Sequence, residues 1–189
     1  MLEGTDLTKT YEPLEAIKIL KENSFTKFDE SLEIAINLGI DSNKTDQNIR
    51  GTINLPKGTG KKIRVAVFAK GEKAKEALDA GADIVGDSEI SEKVLTGKID
   101  FDILISTPDM MSSLSKLAKT LGPKGLMPNP KLGTVTQDIQ TAIKNAKAGQ
   151  VQFKNDKAGI VHAGIGKLKF SDEDLMENLK TFYSSINKN

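Results

Sequence analysis

Two styles of hydrophobic patterning alternate along the chain. From Ser31 to Leu38 the period is two, with Leu32, Ile34, Ile36 and Leu38 on one side and Ser31, Glu33, Ala35 and Asn37 on the other, which predicts a strand with one wet face. Ile49, Gly51, Ile53 and Leu55 alternate against Arg50, Thr52 and Asn54 until Pro56 stops the run, and the two segments read as neighbouring antiparallel strands. Ahead of them, after a polar lead, Glu12-Pro13 opens a helical pattern through Leu14, Ile17, Leu20 and Lys21, proline being tolerated in a first helical turn. The first style returns after Gly149. Val151 and Phe153 alternate with Gln150, Gln152 and Lys154, a polar turn follows at Asn155-Asp-Lys-Ala-Gly159, and Ile160 to Ala163 reads as the second arm of a hairpin. Ser171 with Asp172, Glu173 and Asp174 marks a helix start, and Leu175, Leu179, Phe182, Tyr183 and Ile186 form its apolar face.

The middle of the chain is patterned differently. Val65 to Ala69 is a continuous apolar run, as expected of a strand buried on both faces, and a helix around Ala74, Ala77 and Leu78 follows it and ends at Gly81. Ile84-Val85 is a short strand, Ile90 to Leu95 a short helix, and Phe101 to Ile105 another buried strand. Pro108 starts a helix carrying Met110, Met111, Leu114, Leu117, Ala118 and Leu121, with the methionines filling core. Thr136 reads as the N-cap of a helix with Ile139, Ala142, Ile143 and Ala146. Between these two helices, Gly122 to Thr134 holds three prolines and three glycines, a backbone too heavily prescribed to be helix or strand interior and best read as a rigid connector.

Strands alternating with helices imply a layered α/β domain, and wet-faced strands at both ends imply an α+β domain. The predicted architecture is therefore a discontinuous α+β domain over 1–62 and 150–189, with an α/β domain inserted at 63–149 through two hinges near Lys62 and Gly149. Lys57-Gly-Thr-Gly-Lys-Lys62 lacks the spacing of a phosphate loop and precedes a strand, so it reads as a flexible hinge.

Composition narrows the chemistry. Over 189 residues the apolar fraction is 38% and no apolar run reaches membrane-spanning length, so a soluble, intracellular chain is expected, with no secretory leader at its start. Zero cysteines exclude a disulfide framework, a thiolate zinc site and a cysteine nucleophile, and the single histidine, His162, leaves little for a metal or a general base. No Gly-x-Ser-x-Gly elbow occurs, and the turn after the first buried strand, Ala69-Lys-Gly-Glu-Lys73, lacks a dinucleotide fingerprint. No enzyme and no cofactor are expected. With 27 basic and 26 acidic residues, net charge +1, no bulk positive field drives binding to nucleic acid. A local face is another matter. The split domain offers Lys27, Phe28, Ser31, Glu33, Arg50, Lys154, Asn155, Asp156, Lys157 and His162, which are cations, hydrogen-bonding groups and an aromatic of the kinds that meet phosphates, 2′-hydroxyls and unpaired bases. Taken singly, each reads rather as an ordinary solvated position, and His162 as a satisfied sheet histidine. The rival readings are a nucleotide-binding α/β enzyme and a protein-interaction module without RNA.

Four segments carry a family resemblance: Thr26-Lys-Phe-Asp-Glu-Ser-Leu-Glu33, Asp46-Gln-Asn-Ile-Arg-Gly51, the connector at 122–134, and Asn155-Asp-Lys-Ala-Gly159. In these, and in their order, the chain resembles the bacterial-type L-one family of large-subunit ribosomal proteins from about Tyr11 to Ser185. The resemblance implies a split, RNA-recognition-like α+β domain interrupted by a Rossmann-like three-layer α/β domain. It implies binding to the mobile stalk of large-subunit rRNA, help in releasing deacylated tRNA from the exit site, and repression of translation from its own operon mRNA. It further implies a monomer when free of the ribosome, no membrane, and a cytoplasmic or organellar ribosome as the location. The family's RNA-contacting segments fall on Lys27, Phe28, Ser31 and Glu33, and on Lys154, Asn155, Asp156, Lys157, Gly159 and His162. Ser31 and Ala158 stand where threonine is common in the family, and at Ala158 one candidate hydroxyl contact is lost. The family's basic N-terminal extension is short or missing here, and its final strand, with a Thr-Met-Gly segment, lies past Asn189; both are expected to lower RNA affinity.

Overall fold

The computed structural model describes Asp6 and residues 8–187, so the start of the predicted polar lead and the outermost residues of the split domain lie outside the described residues. In chain order the elements are α1 (Pro13–Glu22), β1 (Ser31–Asn37), β2 (Arg50–Asn54), β3 (Val65–Phe68), α2 (Glu72–Asp79), β4 (Ile84–Val85), α3 (Ser88–Leu95), β5 (Ile103–Ser106), α4 (Met111–Leu114), α5 (Ala118–Leu121), α6 (Ile139–Lys147), β6 (Gln150–Lys154), β7 (Ile160–Lys167) and α7 (Asp172–Ile186). The described residues up to Lys61 and those from Val151 onward form one compact unit, and Lys62–Gln150 form the other.

In the split unit the strand pairing departs from the sequence expectation. β1 and β2 do not pair with each other. β1 pairs antiparallel with β7, β2 pairs with β6, and the two ladders meet at the bridge between Asn155 and Val161. The reason is local: the tight turn at Asn155–Gly159 brings β6 and β7 together, whereas the long polar connector after Leu38 makes no hairpin, so β1 and β2 take outer positions. Each N-terminal strand thus completes a C-terminal one. The inward faces follow the predicted alternation, with Leu32, Leu55, Phe153, Val161 and Ile165 in one core that α7 closes through Leu175, Phe182 and Ile186. Phe153 and Phe182 meet edge to face, their centroids 5.5 Å apart, a pair worth about 0.5–1.5 kcal/mol beyond its area. Tyr183, placed on this face by periodicity, is 52% exposed, and on α1 only Ile17 is buried while Leu14 and Leu20 are largely open.

A bulge between Leu32 and Glu33 shifts the β1–β7 register, pairing Leu32 with Gly166 and Ser31 with Lys167. One extra residue reverses which side chains face out, so Lys167 joins Ser31 on the outer face. Gly166 turns inward, where a Cβ would come within 2.7 Å of Leu175.

The segment expected to be a flexible hinge is pinned over its first half. Asn178, fully buried on α7, accepts from the Lys57 N–H at 3.1 Å and donates to the carbonyls of Gly58 (2.9 Å) and Ile165 (2.8 Å). Lys57 also pairs with Asp174 and Glu177, and Gly60 lies flat against Lys167 and Phe170.

The second unit is a three-layer α/β sandwich around the parallel sheet β4-β3-β5. Val65, Val67 and Ala69 face α2 and α6, while Ala66 and Phe68 face α3, α4 and α5, so the apolar run serves two cores. The helix expected after Pro108 is broken into 3-10 turns and the two short helices α4 and α5; Met110 and Met111 pack on its core as expected. The cap of α6 is Asp138, which accepts from the Thr141 N–H, while Thr136 holds the Asp138 N–H. The Gly/Pro-rich connector is internally tied. The Asn129 side chain accepts from the Lys131 N–H, the Thr134 hydroxyl accepts from the Asn129 N–H, Gly133 takes a left-handed φ of 70°, and Ser106 bridges to Val135 at the sheet edge.

Candidate nucleic-acid interface

The predicted site residues all belong to the split unit, at three places along one ladder. Lys27 and Phe28 stand in the loop between α1 and β1, both exposed, with Phe28 72% open to solvent. The Thr26 hydroxyl donates to the Phe28 carbonyl at 3.1 Å and shapes the bend between them. Next, Ser31 and Glu33 point out from β1, and His162, opposite Ala35, points out from β7 on the same face. The Ser31 hydroxyl accepts from Lys167 Nζ at 2.7 Å, and the same amine donates to the Asp29 carbonyl.

The third place is the β6–β7 turn, built by its own polar side chains. Asp156 accepts from the N–H groups of Ala158 (2.8 Å) and Ile160 (2.9 Å), a short-range carboxylate turn. The Ile160 N–H foremost, then the Ala158 N–H and the His162 imidazole 3.5 Å away, hold the Asp156 carboxyl below its ordinary range. Asn155 accepts from the Ile49 N–H at 2.8 Å and donates to Asn48 and to the Asp156 carbonyl, tying the turn to the start of β2. Gly159 is buried with φ 75°, its carbonyl accepts from the Leu38 N–H, and a Cβ there would sit 2.9 Å from the Ile40 carbonyl. The Ser42 hydroxyl donates to the Lys157 carbonyl. Asn155, Asp156 and Gly159 are therefore largely engaged in shaping the turn, while the side chains of Lys154, Lys157 and His162 project outward. Arg50 is exposed at the start of β2.

These places do not converge on one pocket. The loop with Phe28 lies at the Ser31 end of β1 and the Asp156 turn at the Asn37 end, so the length of a seven-residue strand, about 20 Å at 3.3 Å per residue, separates them. A surface of cations, a hydroxyl, carboxylates and an aromatic drawn out over that distance suits an extended polymer such as RNA better than a small molecule. Among the described residues no cluster of His, Asp and Glu is placed to hold a metal ion, and no helix is long and apolar enough to cross a membrane.

Sequence reasoning missed four residues of this surface. Phe25 is 79% exposed beside the Lys27-Phe28 bend, and its position three residues before Phe28 in a polar stretch was the available signal. Lys167 joins the surface through the bulged end of β7, which no periodicity reveals, and Lys169 just beyond it lies 3.5 Å from Asp29, the neighbour of Phe28 in the loop ahead of β1.

The chain is 56% identical over 181 residues to the protein named large ribosomal subunit protein uL1 of a strain of Prochlorococcus marinus, covering 96% of this chain and 77% of that one. It is 56% identical over 178 residues to the protein of the same name from Rickettsia peacockii, covering 94% and 74%. The family model described as ribosomal protein L1p/L10e matches residues 20–189, which takes in the split unit from Leu20 onward and the whole of the inserted one, and the chain therefore belongs to the ribosomal protein L1p/L10e family.

Proposed function

We propose that this chain is a non-enzymatic structural constituent of the large ribosomal subunit that grips the stalk of large-subunit rRNA with the outer face of its split unit. The observation that carries this reading is the 20 Å run of outward groups from Phe28 through Ser31 and Glu33 to His162 and Lys157, about 20 Å being the rise of a seven-residue strand, set on a rigid ladder. Lysines at both ends meet phosphates, and the hydroxyl, carboxylate and imidazole between them meet sugar edges, the mixture expected for recognition of RNA by shape. Family membership supports the placement on the ribosome and disfavours the rival of a nucleotide-using enzyme, since the relatives are named as ribosomal proteins. Release of exit-site tRNA and repression of its own mRNA belong to the same proposal, and so does a division of labour in which the inserted unit, with its tied connector, stands outside the stalk contact. A gel-shift titration against stalk rRNA and an unrelated hairpin of equal length tests it. Specific binding to the stalk that weakens steeply with salt is the expected result, and equal weak binding to both RNAs would sink the proposal.

A further inference from the structure

The Gly/Pro-rich connector, unused by the split unit's outer face, belongs to a longer stretch of one-signed charge. From Met110 to Gln137 the chain carries Lys116, Lys119, Lys124 and Lys131 and not one acidic residue. These are four of its 27 basic residues and none of its 26 acidic ones, so the rest of the chain sums to −3. All four lysines are exposed. Elsewhere in the inserted unit cations are answered by acids, as Lys70 is by Asp87, Lys93 by Glu89 and Lys147 by Asp83. Among the described residues none of the four has an ion-pair partner, Glu92 of the neighbouring α3 included.

Local structure sets these amines on a firm base. Leu114, Leu117 and Leu121 are buried and mark the inner side. Lys116 and Lys119 stand three apart across the 3-10 turn Ser115–Leu117 and α5, so they lie side by side on the outer one. The Leu126 N–H donates to the Leu121 carbonyl and closes the turn that holds Lys124. The Asn129 side chain accepts from the Lys131 N–H and fixes the next turn. Lys131 is seven positions beyond Lys124, at most about 25 Å of chain. The stretch exposes no large apolar or aromatic side chain, so it offers neither the anchor of a protein interface nor a platform for a base. Unpaired ammonium groups on a fixed frame suit phosphates.

We propose that this acid-free stretch of the inserted unit is a second RNA surface, which binds the phosphate backbone of duplex RNA through Lys116, Lys119, Lys124 and Lys131 without reading bases. The inference goes beyond the stalk reading and does not need it, since the stalk is assigned to residues of the split unit.

The test uses the full chain and a fluorescein-labelled RNA duplex of about twenty base pairs, unrelated to the stalk, read by anisotropy across a salt series. Lys→Gln at all four positions is expected to lower the salt slope by about three to four and to weaken binding by about ten-fold or more at low salt. Each half, Lys116→Gln with Lys119→Gln or Lys124→Gln with Lys131→Gln, should lower the slope by about two, which keeps the proposal testable if the quadruple variant fails to fold. Lys75→Gln with Lys98→Gln, exposed in the same unit but outside the stretch, removes as much charge as either half and should leave the slope unchanged. An unchanged slope in the stretch variants, or an equal loss from the Lys75 and Lys98 pair, overturns the proposal. Displacement of the duplex by poly-glutamate as readily as by unlabelled duplex of equal charge also overturns it, in favour of an acidic protein partner. Stalk rRNA titrated in parallel keeps the two readings apart. Stalk preference with a duplex slope independent of the four lysines overturns this inference alone, whereas a lysine-dependent slope without stalk preference supports it and overturns the stalk assignment.

Discussion

Replacing Asn178 by Leu removes one side chain that fastens the exit of the split unit to its core, at little change in volume. Three hydrogen bonds are lost, to the Lys57 N–H and to the carbonyls of Gly58 and Ile165. Lys57 is exposed and Gly58 half-buried, so their groups can turn to water, and each loss costs the net value of a hydrogen bond, about 1 kcal/mol. Ile165 is 1% exposed. Its carbonyl is left stranded, which costs roughly 1–3 kcal/mol. The expected destabilisation is about 4 kcal/mol, a large share of the roughly 5–15 kcal/mol that holds a domain together. The chain has no tryptophan, and its two tyrosines, Tyr11 and Tyr183, both belong to the split unit. Tyrosine fluorescence in a urea titration therefore follows that unit without interference from the other. Limited trypsinolysis supplies a second reading, because Lys57, Lys61 and Lys62 become cleavable once the strap lifts. A midpoint shift equivalent to less than about 1 kcal/mol, with cleavage unchanged, would refute the assignment of Asn178 as the anchor.

Phe28→Ala is expected to weaken stalk rRNA binding by roughly ten-fold or more through lost stacking. Lys157→Ala should weaken it and lower the salt slope by about one, whereas Lys131→Ala, in the inserted unit, should leave gel shifts unchanged; a larger loss from Lys131 would overturn the site assignment. Gly159→Ala combines a left-handed φ of 75° with a 2.9 Å approach to the Ile40 carbonyl, so roughly 2–4 kcal/mol of destabilisation is expected in the urea titration. Gly39→Ala, with φ 67° and open space around it, should cost only about 1–2 kcal/mol. Asp156 is held below its ordinary range in the folded state, first by the Ile160 N–H. Its stabilising contribution is therefore complete above the unfolded value of about 3.9 and lost as pH falls through the lower folded value. The gap in urea midpoint between the parent and Asp156→Ala should be constant above about pH 5 and close below about pH 4.

What could be read from the sequence was whatever depends on neighbours in the chain. The run Val65–Ala69 could only be a strand buried on both faces, and the structure divides it between two cores. Ser171 caps α7 as its acidic first turn suggested. Pairing was not readable, because alternation says which face a residue takes and not which strand lies beside it; the partners of β1 and β2 come from far later in the chain, across the whole inserted unit. The cap of α6 moved from Thr136 to Asp138 because the Thr136 hydroxyl is taken up by the turn before the helix. Asn178 carried no signal in the sequence pattern; its purpose lies in the Lys57–Gly58 strap and the Ile165 carbonyl that its amide joins. The candidate surface followed the same division. Lys27, Phe28 and the Asn155–Gly159 turn carry local signatures, whereas Lys167 faces outward only because a bulge reverses the alternation.

That interleaving bears on how the surface comes to exist. Its outward groups come from 27–33 at one side of the insertion and 154–167 at the other, and they share a face only when β1 has found β7. The ladder encloses the whole inserted unit as one long loop, and closing it costs chain entropy that no local contact repays. Three devices act after closure: the Asn155 amide on the Ile49 N–H, the Gly159 carbonyl on the Leu38 N–H, and Asn178 on the Lys57–Gly58 strap. Each joins a residue from before the insertion to one from after it. All three are buried or half-buried polar contacts, which favour one register over its slipped neighbours because a slip would leave their partners unpaired. The residues that shape the Asn155–Gly159 turn therefore fix the register of the split unit as well as one end of its outer face, and a substitution there is expected to disturb both.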